Sequence, residues 1–117
     1  MVTLKFQGLF LKKKEYLYTL FFCQQTVEKA IKAVYYERYN KTPPRKHDLM
    51  ELAEAASILS QLDEDRKNLF VLLSEYYIES RYAEDRKEME KNCTRSVTED
   101  ILERTGDVLK WLKSNLK

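Results

Sequence analysis

The chain has 117 residues, with 21 basic and 19 acidic side chains and a net charge of +2, so it lacks the dense positive excess of a dedicated nucleic-acid binder. Two glycines and two prolines leave little material for tight hairpins. The abundance of Leu, Glu, Lys, Ala and Arg points instead to an all-α protein, long enough to bury its own core without a disulfide or metal.

A short helix is expected over about Thr3 to Lys12, with Gly8 inside it, and Lys12-Lys13-Lys14 reads as a solvated helix end. A long helix comes next, from about Glu15 to Tyr39, where Leu17, Leu20, Phe21, Val27, Ile31, Val34 and Tyr35 recur at the three-and-four spacing of one apolar face. Pro43-Pro44 must end it and separate it from the third helix. Asp48 and Glu51 form a capping-box pattern for that third helix, with Leu49, Leu52, Ala53, Ala56 and Leu59 inward. Asp63 is the expected N-cap of a fourth, with Leu69, Leu72, Leu73, Tyr76 and Ser80 on one stripe ending near Tyr82. Residues 83–95 are charged and poorly periodic, and read as a surface loop with a frayed turn. Ser96 and Glu99 repeat the capping-box pattern before a last helix carrying Ile101, Leu102, Val108, Leu109 and Leu112. The expectation is an antiparallel bundle of four main helices plus a short N-terminal one, a single domain over 1–117.

Cys23 and Cys93 match no CxxC or zinc spacing, so neither a metal nor another cofactor is implied. No apolar run approaches the ~20 residues of a membrane span, and the start lacks a signal peptide's positive cluster and cleavage site. The protein is expected to be cytoplasmic, with no membrane partner.

Several polar residues do not fit a plain bundle. Gln24 falls in the middle of the apolar arc of the long helix, with Glu28 near that arc and Lys32 at its edge. A buried amide or carboxylate needs partners, either within the chain or from a second subunit. The within-chain account is a polar network with a Glu28–Lys32 helix pair; the other is a seam, with Tyr35 and Tyr36 nearby, that meets a partner. His47 is the only histidine and stands beside Arg45 and Lys46, where it either packs structurally or faces an anionic ligand. Tyrosines crowd two helix ends, Tyr35, Tyr36 and Tyr39 with Arg38, and Tyr76, Tyr77 and Tyr82 with Arg81. That composition suits core packing, a protein interface or base stacking.

The run Phe22-Cys23-Gln24-Gln25-Thr26-Val27-Glu28-Lys29-Ala30-Ile31-Lys32-Ala33 resembles the QQxxEKxxKA pattern on the long helix of HEPN-domain proteins. Lys46-His47-Asp48-Leu49 resembles that family's HDL element, and Ser80-Arg81-Tyr82 its later Arg-Tyr pair, with Ala83 where the family usually has proline. The resemblance implies a helical bundle, commonly a homodimer, often paired with a minimal nucleotidyltransferase in toxin–antitoxin-like modules, while other branches bind nucleotides or cleave RNA. The cleaving branches carry Arg, four to six residues, then His. Here eight residues separate Arg38 from His47 and one separates Arg45 from it, so the ribonuclease motif is absent.

The expected function is therefore a non-catalytic binding module. Gln25, Lys29, Lys32, His47 and Arg81 are its candidate ligand residues for a nucleotide or RNA, and Gln24, Glu28, Tyr35 and Tyr36 its candidate interface. The alternatives are a ribonuclease using Arg81 and His47, and a purely structural bundle.

Overall fold

The computed structural model describes residues 9–116, with side chains from residue 13 onward. Five α-helices succeed one another: α1 Leu9–Tyr39, α2 Leu49–Ala55, α3 Glu64–Ser74, α4 Ala83–Asn92 and α5 Arg95–Ser114, with 3-10 turns at Leu59–Gln61 and Ile78–Ser80. Thirty-one residues at about 1.5 Å rise give α1 a length of about 46 Å. The molecule's longest dimension is likewise 46 Å, so α1 spans the whole bundle.

The all-α expectation holds, and its segmentation is corrected in five places. Residues 3–8 of the expected first helix lie outside the described residues, and from Leu9 the backbone runs unbroken through Lys12–Lys14 into the long helix. The third helix stops at Ala55, because Ser57 adopts a left-handed φ of 62° and Ile58 N–H returns to the Ala53 carbonyl at 3.0 Å. Leu59 therefore belongs to a 3-10 turn rather than the helix face. The fourth helix ends at Ser74, and Ser80 falls in the turn beyond it. Residues 83–92, expected as a loop, form α4. That helix buries no residue completely, so it carries no apolar period to read; strong helix formers, half-buried Met89 and the Arg86 Nε bond to the Ile78 carbonyl (2.9 Å) hold it. Thr94, not Ser96, caps α5, its Oγ1 accepting from Val97 N–H at 3.1 Å.

The core is built on the inner face of α1. Leu17, Leu20, Val27, Ile31 and Val34 are buried there against Leu49 and Leu52 of α2, Leu69, Phe70 and Leu73 of α3, and Ile101, Val108 and Leu112 of α5. The most extensive contact is between α1 and α5. Two caps fix where α2 begins: Asp48 Oδ1 accepts from Glu51 N–H (3.0 Å), and Ser74 Oγ from Leu49 N–H (2.9 Å). The loop after Tyr39 turns on Asn40, at φ 50°, whose N–H bonds the Tyr36 carbonyl. This turn leads residues 41–48 back along α1 and brings His47 beside Glu28.

Candidate functional site

Gln24 is fully buried, and its amide is used to capacity. Nε2 donates to Glu28 Oε1 and to the His47 carbonyl, both at 2.9 Å, while Oε1 accepts from Gln25 Nε2 at 2.7 Å. One side chain thus ties the 40–48 loop to α1 and orients the next two polar groups. Glu28 lies one turn along, its side chain almost wholly covered. Oε1 also accepts from His47 Nδ1 at 3.0 Å, and Oε2 pairs with Lys32 Nζ at 3.0 Å. Burial alone would push this carboxyl up. Hydrogen bonds from Gln24, Lys32 and His47, with the charge of Lys32, outweigh it and hold Glu28 below the usual carboxylate range.

His47 therefore meets an ionised, acceptor-only partner, so Nδ1 carries the hydrogen and the neutral ring keeps its lone pair on Nε2. The imidazole stacks on Tyr77, with centroids 3.8 Å apart and planes within 10°, while 45% of its side-chain surface stays open. Tyr77 in turn rests against Phe21, centroids 6.0 Å apart. Ring stacking and the carboxylate fix His47 from two directions and leave Nε2 bonded to no described group.

Of the expected ligand residues, Gln25, Lys32 and His47 belong to this network. Lys29 sits exposed on α1, one helical position past Glu28. Arg81 is exposed and bonds the Glu75 carbonyl at 3.2 Å. His47 and Arg81 are thus both anchored to the 75–77 segment, without a bond between them.

Of the expected interface residues, Gln24 and Glu28 find their partners inside the chain. Tyr35 is half-buried and packs with Tyr39 (4.9 Å), whereas Tyr36 is exposed. The two tyrosine-rich ends do not merge. Tyr76 is buried, and Tyr77 meets α1 at Phe21, fourteen residues or about 21 Å from Tyr35. Arg38 serves structure, with Nη1 bonding the Ala56 and Ser57 carbonyls at the end of α2.

Tyr77 and Phe22 are site residues that the sequence does not single out. Tyr77 is visible there only as one of a tyrosine cluster. Phe22, 67% exposed between Tyr18 and Tyr36 on the outer face of α1, stands in the family-like run, yet its exposure becomes legible only once the core face is fixed.

A concavity of about 490 Å³ lies between α3 and α5 and is lined by Asp65, Arg66, Asp100, Arg104 and Asp107. Its cations are already engaged. Arg104 bonds Asp100 (3.4 Å) and the Asp65 carbonyl (3.2 Å), and Arg66 lies over Trp111 at 4.8 Å. The candidate site is accordingly placed at His47. Among the described residues no three histidine, cysteine or carboxylate side chains converge to hold a metal ion, and no helix is long and apolar enough to cross a membrane.

A five-helix bundle whose long helix joins a Gln-Gln-x-x-Glu-Lys run to a following histidine defines a particular class of small helical domain. The family model for the HEPN domain matches residues 4–115, nearly the whole chain, and the protein belongs to that family. Comparison with curated proteins and with solved structures finds no match.

Proposed function

We propose that this HEPN domain is a binding module: a cytoplasmic homodimer that partners a minimal nucleotidyltransferase in a toxin–antitoxin-like pair and holds the phosphates of a nucleotide at Gln25, Lys29, Lys32, His47 and Arg81. The observation that carries the reading is the Glu28 network. It offsets the charge of buried Glu28 with Lys32 and leaves exposed Lys29 and partly exposed His47 as the groups an anion would meet. Lys29 and Lys32 supply charge, Gln25 supplies the second N–H of its amide, and Arg81 approaches from the segment that carries Tyr77. The dimer reading is supported by α1, which buries one apolar face and still presents Tyr18, Phe22 and Tyr36 on the other.

Calorimetric titration of the protein with ATP, alongside light scattering, tests both parts. Binding that weakens several-fold in Lys29→Ala, on a dimer that Phe22→Glu dissociates, is the expected result. No heat with ATP removes the nucleotide reading, and a monomeric wild type removes the dimer. Co-purification with a co-expressed minimal nucleotidyltransferase tests the partner.

The shared anchoring of His47 and Arg81 on residues 75–77 favours one second reading, an RNA-cleaving site using that pair. Incubation with a short single-stranded RNA decides it. Cleavage abolished by both His47→Asn and Arg81→Ala supports the enzyme, and intact RNA excludes it.

A further inference from the structure

We propose that His47 is a phosphoryl-acceptor site, taking one phosphoryl group on Nε2 from a nucleoside triphosphate. The inference rests on the nucleotide-binding reading above and adds a covalent step to it.

The argument begins with the tautomer. An imidazole is a competent nucleophile only through a nitrogen that carries no hydrogen, and in solution the hydrogen is shared between the two positions. Here the Glu28 carboxylate, 3.0 Å from Nδ1, assigns the hydrogen to Nδ1 and leaves the lone pair on Nε2. Glu28 is itself held by Gln24 and Lys32, so it cannot swing away. The stack on Tyr77 restrains the ring, and 45% of its side-chain surface stays open.

The step balances without a further reactant. The Nε2 lone pair attacks the terminal phosphorus, a nitrogen–phosphorus bond forms, and the bond to the bridging oxygen breaks. Its electron pair leaves with the nucleoside diphosphate. The ring becomes a phosphorylated imidazolium, and its positive charge, with the Nδ1 hydrogen, faces Glu28. Glu28 acts as a positioning residue that also offsets this developing charge. The event is a modification of the chain, one group per site, and requires no turnover.

The test uses the full chain. Intact-mass spectrometry follows incubation with ATP and, separately, with phosphoramidate, a small donor that needs no nucleotide site. Calorimetry with the non-transferable β,γ-methylene analogue of ATP measures binding independently. One phosphoryl group mapped to His47, stable in alkali, released in mild acid and absent in His47→Asn, is the expected result. Glu28→Gln should slow phosphoramidate labelling about tenfold, with Glu28→Asp restoring part of the rate. An unlabelled wild type that binds the analogue overturns the acceptor site and leaves the binding module standing. Equal labelling of His47→Asn overturns it as well. Labelling by phosphoramidate alone, with no analogue binding, overturns the nucleotide as donor and the binding reading together.

Discussion

Replacing Glu28 by glutamine removes one charge and keeps the shape of the side chain, which isolates the electrostatic part of the network. The amide oxygen can still accept from Gln24 and His47, but the position of Oε2, 3.0 Å from the Lys32 ammonium, is taken by a second donor. Hydrogen bonds to a charged group contribute about 1.5–3 kcal/mol, and Lys32 is one-quarter exposed, so screening trims its share. A loss of about 2 kcal/mol is expected, equivalent to about 8 °C in melting temperature for a chain of this size. Urea unfolding followed by circular dichroism gives the difference directly. Its pH dependence has a fixed sign, because the folded carboxyl titrates below the unfolded one. The stabilisation is present above the unfolded value of about 4.3 and is lost as pH falls through the lower folded value. The gap between wild type and Glu28→Gln should therefore be flat from neutral pH down to about 5 and close below it. Equal stability at neutral pH, or a gap that widens on acidification, would overturn this account of Glu28.

Three further outcomes are expected from the fold. Ser74→Ala strips the buried Leu49 N–H of its acceptor and should cost about 1–3 kcal/mol in urea unfolding. Thr94→Ala should cost about 1 kcal/mol by removing the α5 cap, whereas Ser96→Ala should cost less than half as much; equal losses would return the cap to Ser96. Arg86→Ala should raise amide exchange across α4 while leaving α1, α3 and α5 protected, because α4 has no completely buried side chain to hold it otherwise. Unchanged exchange in α4 would show that Met89 alone secures it.

The helices that bury a full face are legible in the residues, and the one that does not is hidden. The apolar recurrence from Leu17 to Val34 marks α1 because that helix meets all four of the others, so packing and period coincide. In α4 the side chains that matter, Arg86 and Met89, act singly, and a charged helix lying on the surface looks like a charged loop. The α5 cap is misleading for a local reason: Ser96 with Glu99 fits the capping-box spacing, yet Thr94 supplies the hydroxyl, and Arg95 takes Glu99 as its ion-pair partner instead. At the site, Gln24, Glu28, Lys32 and His47 each stand out by position. Their union depends on the course of the 40–48 loop, set by a left-handed Asn40 that no periodicity predicts. Tyr77 is beyond reach for a further reason: the stripe expected for the fourth helix runs through its neighbour Tyr76, and the early helix end at Ser74 is what frees Tyr77 to turn toward α1.

The Glu28–His47 contact spans only nineteen residues, whereas the docking of α5 on α1 closes a much longer stretch of chain. Short closures cost less entropy and form sooner. The α1–α2 hairpin can assemble its imidazole–carboxylate pair before the final helix arrives, and His47 would report on that early step. In a refolding experiment the magnetic resonance signal of its ring should reach its native position ahead of Trp111, which waits for α5.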